Sequence, residues 1–375
     1  MAYELILPDL HPAVHPLMDR YQGLSRGMSG QMDVKPHRIA LDPGTRPIWS
    51  QPCRTGFHHR RLLAEKVAKQ LRMGVIKPSQ SEWSFPVVIV PKPDGSPRFC
   101  VDYSRLNDVT VKDTCPLPRM DDCFDFLGGA SVFSMLDCIS GYWKIPLAVE
   151  DHDKPTFTWH EGTNECIRLP SGLTKAPATF QRAIAMILSG VKWKTCPVYL
   201  NDVIVFSRTV EEHFTHFDEV FGLLSRAGVS PEASKCFLFH GELDYLGHIV
   251  NRGHIRVNET NLVGLRLAEP PRTKKDLRSF LGMSNVYRRF VKDYKKVARP
   301  LTAQKSPKVS DPLPPFSKDQ RDAFEELKMR LTNTQILALP GSTGAYVLGT
   351  DSSDCQVGCV LTQVQPDKTY KPVGY

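Results

Sequence analysis

The chain has 375 residues, enough to bury a full core and to hold two or three domains. With 41% hydrophobic and 23% charged residues it reads as an ordinary soluble protein. No stretch approaches the roughly 20 apolar residues of a membrane span, and the N-terminus, Met-Ala-Tyr-Glu-Leu-Ile-Leu-Pro, lacks the basic region of a signal peptide. The formal net charge is +8, and Pro271 to Pro300 alone holds ten Lys/Arg against Asp276 and Asp293, so the remainder is neutral on balance. Such a cluster suits a phosphate backbone or, more plainly, a solvated basic helix face. Ten cysteines at irregular spacings, with no Cys-x-x-Cys, read as reduced packing thiols of an intracellular protein, cytoplasm and nucleus left open.

Residues 1–56 are rich in Pro, His and Gly without a sustained period and read as an extended arm. Helical spacing begins near Phe57, with Leu62, Leu63, Val67 and Leu71 on one face and Gly74 as the stop. Phe85-Pro-Val-Val-Ile-Val-Pro91 and Arg98-Phe-Cys-Val-Asp-Tyr103 are strand-like, joined by a turn at Asp94-Gly95. Lys92 and Arg98 at the mouth of that hairpin could hold a triphosphate, although exposed turn cations are common. A short helix closed by Gly128-Gly129 precedes the strand Val132-Phe-Ser-Met-Leu-Asp137.

A second hairpin, Thr156 to His160 against Glu165 to Leu169, turns at Gly162. It leads to a helix capped by Thr174, with Pro177 in its first turn, running to about Ser189. Val198-Tyr-Leu-Asn-Asp-Val-Ile-Val-Phe-Ser207 then reads as a hairpin whose polar break, Asn201-Asp202, presents an acid at its tip. If this strand and the Asp137 strand are sheet neighbours, Asp137 and Asp202 meet at one edge. Two convergent carboxylates without a basic partner suit a divalent metal.

Thr209-Val-Glu-Glu212 opens a helix ending near Gly228, on which His213 and His216 form a surface pair. Phe237 to Val250 holds two short strands. The basic stretch follows as two helices, the first opened by Thr273 with Asp276 and interrupted near Gly282, the second ended by Pro300. Residues 305–316 mark a Pro-rich linker, Ser317 to Leu331 a capped helix, and strand-like segments close the chain.

These blocks, in this order, resemble the reverse transcriptase of gypsy-type long-terminal-repeat retrotransposons. The resemblance rests on Phe99-Cys-Val-Asp-Tyr-Ser-Arg-Leu-Asn107, Pro116-Leu-Pro-Arg119, Phe133 to Tyr142, Leu169 to Arg182, Tyr199 to Ser207, Tyr245-Leu-Gly-His248, and Leu277 to Gly282 with Tyr287-Arg-Arg-Phe290. It implies an α+β right-hand polymerase. Fingers and palm would span 57–250, a basic thumb 251–304, the linker 305–316, and an incomplete ribonuclease H-like segment 317–375. It further implies RNA-directed DNA synthesis on an RNA or DNA template with primer, using deoxynucleoside triphosphates and two Mg²⁺ or Mn²⁺ ions.

In that picture Asp137, Asn201 and Asp202 are the catalytic positions, with Asp137 and Asp202 the metal ligands. Lys92, Arg98, Tyr142 and Ser171 attend the nucleotide, and the ring of Tyr142 excludes a ribose 2′-hydroxyl. Leu246, Gly247 and His248 match the primer grip, while Arg278, Arg288, Arg289 and Lys292 grip the duplex through its phosphates. Asp351, in Thr350-Asp-Ser-Ser-Asp354, matches the first metal position of ribonuclease H, whose remaining acids do not follow, so that activity is not expected.

The sequence also departs from the family pattern. Tyr-x-Asp-Asp reads Tyr199-Leu-Asn201-Asp202, and Ser171, Lys175, Ser104 and Pro155 replace the usual residues. A neutral amide at 201 gives an oxygen without its charge. A loss of about 3–5 kcal/mol there slows the reaction by roughly 10²- to 10⁴-fold. The alternative is an inactive retroelement fragment that only binds nucleic acid.

Overall fold

The computed structural model describes residues 4–5, 16–17, 30–91, 95, 97–229, 231, 235–307, 309–333, 336–341, 344–353, 356–365 and 367–375. The chain divides into two compact units, residues 1–119, 134–205 and 211–239 forming one, and 120–133, 206–210 and 240–375 the other.

The first unit contains α1 (Phe57–Arg72), which buries Leu63 and Val67 four residues apart and ends where Gly74 adopts φ +61°. Strands β2 (Ile76–Pro78), β3 (Phe85–Pro91), β4 (Pro97–Val101), β6 (Phe157–Trp159) and β7 (Gly162–Cys166) form one sheet in the order β2-β7-β6-β3-β4. Trp159 pairs with Gly162, so the turn lies at His160-Glu161 and Gly162 already belongs to the strand. Between β4 and β6 come α2 (Ser104–Asp108) and the start of the central sheet.

That sheet runs β1-β10-β5-β9-β8, from β1 (Glu4–Leu5), β10 (Phe237–His240), β5 (Val132–Asp137), β9 (Asp202–Ser207) and β8 (Val198–Tyr199). Its apolar runs are buried on both faces, Leu136, Val203, Ile204, Val205 and Leu238 each having no exposed surface. Two helices supply further core. One is α4 (Ala176–Ile187), with Phe180 and Ile184 inward; the other is α5 (Val210–Arg226), with Phe217, Val220 and Leu224 inward at helical spacing. His213, expected at the surface, is fully buried on α5. It shares a 2.8 Å hydrogen bond with Ser134 Oγ, and burial pushes its pKa down to about 3. Of the described arm residues, 16–17 are helical and 30–56 are stitched down. Met32 and His37 donate backbone N–H groups to Lys144 and Pro146, and Ile39 donates to the buried Asp151 carboxylate.

The span 237–250, where two strands were expected, holds β10 and nearly all of the first two of three strands that form a meander. These are β11 (Glu242–Tyr245), β12 (His248–Asn251) and β13 (His254–Val257); β14 (Leu337–Ala338) extends their sheet. The second unit also holds α3 (Met120–Asp125) and an unanticipated α6 (Glu259–Arg266), N-capped by the Asn258 side chain. Thr273 and Asp276 form the foreseen capping box of α7 (Lys274–Val286). That helix passes through Gly282 without a break, because Leu277, Phe280, Leu281 and Ser284 bury one face and outweigh a glycine cost of about 1 kcal/mol. The interruption comes at Arg288–Phe290, a single 3₁₀ turn. Pro300 lies inside α8 (Tyr294–Thr302), since in the last turn it removes one backbone bond while the buried Leu301 holds the end in place.

Residues 305–316 are no free linker. Leu313 N–H donates to the Arg272 carbonyl at 2.9 Å, Lys274 N–H donates to Asp311 at 3.1 Å, and Phe316 is buried. Next, α9 (Lys318–Thr332) packs on α8 and α6. Beyond it, β15 (Tyr346–Ser353), β16 (Gln356–Val364) and β17 (Tyr370–Gly374) form a three-stranded sheet.

Phe324 of α9 is fully buried, so Phe324→Ala is expected to cost about 3–5 kcal/mol. All five tryptophans lie at 49, 83, 143, 159 and 193, in the first unit. The loss should therefore appear in the circular-dichroism unfolding curve and leave the tryptophan-fluorescence curve in place; equal shifts in both would contradict the division.

Candidate active site

Tyr199 pairs with Asp202 and Val198 with Val203, so the turn residues of the central hairpin are Leu200 and Asn201. This corrects the expected Asn201-Asp202 turn by one residue. Leu200 adopts φ +53°, a conformation an L side chain resists, because Gln181 of α4 holds the turn from both sides. The Gln181 Oε1 accepts Leu200 N–H at 2.6 Å, and its Nε2 donates to the Val198 carbonyl at 3.1 Å. One residue on, the Asn201 carbonyl accepts Cys138 N–H at 2.8 Å. That bond joins the hairpin to the residue following β5, and it sets Asp137 beside Asp202, as the strand order requires.

Asp202 is therefore not a presented tip residue but the half-buried first residue of β9. Burial, and then the charge of Asp137, push its pKa up to about 6. The expectation that no basic partner stands nearby also needs correction: Lys235 Nζ lies 3.7 Å from Asp137 Oδ2. The donor set fits a hard divalent cation, since the Asp137 charge makes the Asp202 carboxyl harder to ionise, and a shared positive charge relieves that. Among the described residues no group of three or more His, Cys, Asp or Glu gathers for a metal, so this edge offers its two carboxylates alone.

Arg98 of β4 and Ser171 line one cavity of about 180 Å³, walled by Val87, Tyr103 and Phe157. Tyr142 does not line it; its ring stacks on Phe180 at 4.7 Å. A Cβ on the preceding Gly141 would meet that Phe180 ring at 2.5 Å, so only glycine admits the stacked pair. Lys92 lies outside the described residues.

In the second unit Leu246 and Gly247 form the β11–β12 turn, both at positive φ, and are part-exposed. The His248 side chain, expected to grip primer, instead points inward, 1% exposed among Phe124, Tyr287 and Phe290, with its pKa lowered chiefly by burial. Arg289 is corrected as well. Its guanidinium is largely buried, 3.3 Å from Asp121 and 3.7 Å from Asp125, and donates to the Val373 carbonyl. Those groups occupy it, and it is not offered to a phosphate.

Arg278, Arg288 and Lys292 are exposed. Of these, Arg278 lines a cleft of about 710 Å³ between α7 and α8, joined by Lys295, Arg299 and Lys305 over a floor that includes Gly282 and Ala298. The sequence reading had not singled out those three cations, although Lys295 and Arg299 stand four apart on one helix face. Asp351 is exposed on β15, paired across the ladder with Gly358.

Residues 90–250 match the family described as reverse transcriptase (RNA-dependent DNA polymerase), and residues 316–375 match the RNase H-like domain found in reverse transcriptase. The retrovirus-related Pol polyprotein from transposon opus of Drosophila melanogaster is 34% identical over 347 residues, 88% of this chain and 34% of that protein. Its counterpart from transposon gypsy is 33% identical over 332 residues, 84% of this chain and 32% of that protein. The chain thus spans about a third of the length of these relatives. A foamy viral protease-reverse transcriptase solved with double-stranded DNA shares the fold at TM-score 0.85 and 23% identity, over 99% of this chain and 65% of that one. This chain belongs to the reverse transcriptases of gypsy-type long-terminal-repeat retrotransposons, and carries an α+β polymerase fold followed by an RNase H-like region over residues 316–375.

A carboxyl raised to about 6 has a definite effect on stability. Between its unfolded value near 4 and that raised value the folded chain binds more protons, so stability falls as pH rises through this window and the penalty is complete above it. Asp202→Asn removes the penalty. In metal-free buffer the variant should be about 1–3 kcal/mol more stable than the parent in urea unfolding near pH 7.5, and no more stable below about pH 4. A gain independent of pH would contradict the assigned shift.

Proposed function

We propose that the chain is an RNA-directed DNA polymerase that extends a primer 3′-hydroxyl at the Asp137–Asp202 edge, and that Asn201 slows it. Support comes above all from the Cys138-to-Asn201 backbone bond, which brings the two carboxylates to one edge. Bound there, two Mg²⁺ or Mn²⁺ ions supply the charge that lowers the pKa of the primer hydroxyl and neutralises the triphosphate and leaving pyrophosphate. Asp137 and Asp202 hold them, and Asn201 contributes an amide oxygen without a charge.

Arg98, with Lys92, takes the triphosphate, as a guanidinium can do bidentately. Tyr142, its ring braced on Phe180, is assigned the exclusion of a ribose 2′-hydroxyl. The Leu246-Gly247 turn steadies the primer. Arg278, Lys295, Arg299 and Lys305 hold template-primer phosphates without reading sequence. Asp351 is carried as the first cation position of an RNase H site, and no ribonuclease H activity is proposed for this chain.

The neutral amide at 201 and the Lys235 ammonium beside Asp137 favour a second reading, in which the duplex is bound but not extended. Primer extension separates the two. The parent chain with Mg²⁺ or Mn²⁺ should extend a DNA primer on an RNA template slowly, and Asn201→Asp should raise the rate by roughly 10²- to 10⁴-fold. If the reversion leaves the rate unchanged, residue 201 is not the missing charge. No extension by either protein would leave only the binding reading.

Duplex affinity should fall steeply with salt. Changing Arg278, Lys295 and Arg299 together to Gln should reduce the log–log salt slope by about 2–3. Arg289→Gln should instead lower thermal stability and leave the slope unaltered. A slope change for Arg289 with none for the other three would reverse the assignment.

A further inference from the structure

Asn107, in α2, carries a pair of contacts that the proposed chemistry does not use. Its Nδ2 donates to the Gly172 carbonyl at 2.9 Å, and its Oδ1 accepts Thr174 N–H at 2.8 Å, across a sequence separation of 65 and 67 residues. A carbonyl can only accept and an N–H can only donate, so each end of the amide has one chemically permitted partner. Alanine makes neither bond. Aspartate keeps an acceptor for Thr174 but sets a second acceptor against the Gly172 carbonyl.

The loop so held has little else to fix it. Gly172 adopts φ +102°, and a Cβ there would come within 3.4 Å of the Tyr103 ring. The expected Thr174 cap is absent: Lys175 occupies the N-cap of α4 and makes no side-chain capping bond. Leu173 is buried and is the loop's apolar anchor. Asn107 itself is fixed, because its N–H donates to the Tyr103 carbonyl at 2.8 Å and its carbonyl accepts Thr110 N–H at 3.3 Å. It thus ties the segment that follows β4, the strand of Arg98, to the loop that carries Ser171. Arg98 and Ser171 line the same cavity.

We propose that Asn107 is a positioning residue for the nucleotide site. It sets the gap between Arg98 and Ser171, and so the affinity for the incoming deoxynucleoside triphosphate, without touching the nucleotide. This rests on the polymerase reading above, in which those two residues attend the triphosphate.

The test uses the full chain carrying Asn201→Asp, bound to a chain-terminated primer-template in Mg²⁺, and measures the deoxynucleoside triphosphate concentration needed to retain the complex. Asn107→Ala and the isosteric Asn107→Asp should each raise that concentration by about 5- to 30-fold, the worth of one to two hydrogen bonds. Affinity for the primer-template itself should stay within about twofold, since the cationic cleft belongs to the other unit. Amide exchange at Thr174 should speed up about tenfold or more in Asn107→Ala.

Unchanged triphosphate retention in both variants would overturn the proposal, as would a parallel loss of primer-template affinity. If the parent retains no triphosphate at all, the polymerase reading fails. The Thr174 exchange rate then decides the clamp by itself, and an unchanged rate rejects it.

Discussion

Two carboxylates held side by side repel each other, and the central sheet is built so that the chain cannot relax the repulsion by moving them apart. Asp137 ends β5 and Asp202 begins β9, and the 2.8 Å bond between Cys138 N–H and the Asn201 carbonyl fastens those ends together. Gln181 grips the intervening turn, and the buried Leu136, Val203, Ile204 and Val205 anchor the strands behind it. The cost appears in the Asp202 carboxyl, whose affinity for a proton rises because burial and a like charge both disfavour its ionised form. Positive charge beside such a pair relieves the repulsion, and the Lys235 ammonium, 3.7 Å from Asp137, supplies some of it.

The basic stretch shows the opposite use of charge. Its ten cations lie close in sequence, yet burial sorts them into two roles. Arg289 is drawn inward by Asp121 and Asp125, where removing either partner would leave a poorly solvated charge. The Asp125 carboxyl is raised chiefly by burial, and Arg289 only partly offsets that. Arg278, Lys295 and Arg299 remain exposed around the cleft between α7 and α8 with no acid among its walls. They are free to exchange counterions for phosphates, which is the physical basis of salt-dependent binding.

What the sequence made legible, and what it hid, follows from the range of the forces involved. A short apolar strand ending in an acid is a local pattern, and both such strands were found with their acids at the same edge. The capping box at Thr273 was local too. The register of the Asp202 hairpin was not, because a leucine at positive φ runs against propensity and is imposed by Gln181, 19 residues earlier in the chain. Gly282 failed to break α7 for a similar reason: an intrinsic penalty of about 1 kcal/mol is smaller than the burial of four neighbours. The inward turn of His248 and Arg289 could not be read from residue type, since the aromatic rings and carboxylates that enclose them come partly from α3, more than 100 residues away in sequence. Pairing of Arg98 with Ser171 around one cavity likewise needed tertiary contact, and the Asn107 bonds lay inside a recognised block whose individual side chains had no assigned task.

Position 201 separates what the fold requires from what the chemistry requires. The fold uses this residue through its backbone carbonyl, which takes the Cys138 N–H, and through its place in the two-residue turn. Aspartate and asparagine offer the same carbonyl and nearly the same shape, and both tolerate turn conformations. Exchanging one for the other therefore leaves the sheet edge, the Gln181 grip and the facing carboxylates in place. On the polymerase reading proposed above, the chemistry would use the side chain, where the exchange removes a full negative charge from a site that would balance cations. On that reading the architecture persists whichever residue stands at 201, because the interaction that assembles the site and the charge that would work in it reside on different atoms of one residue.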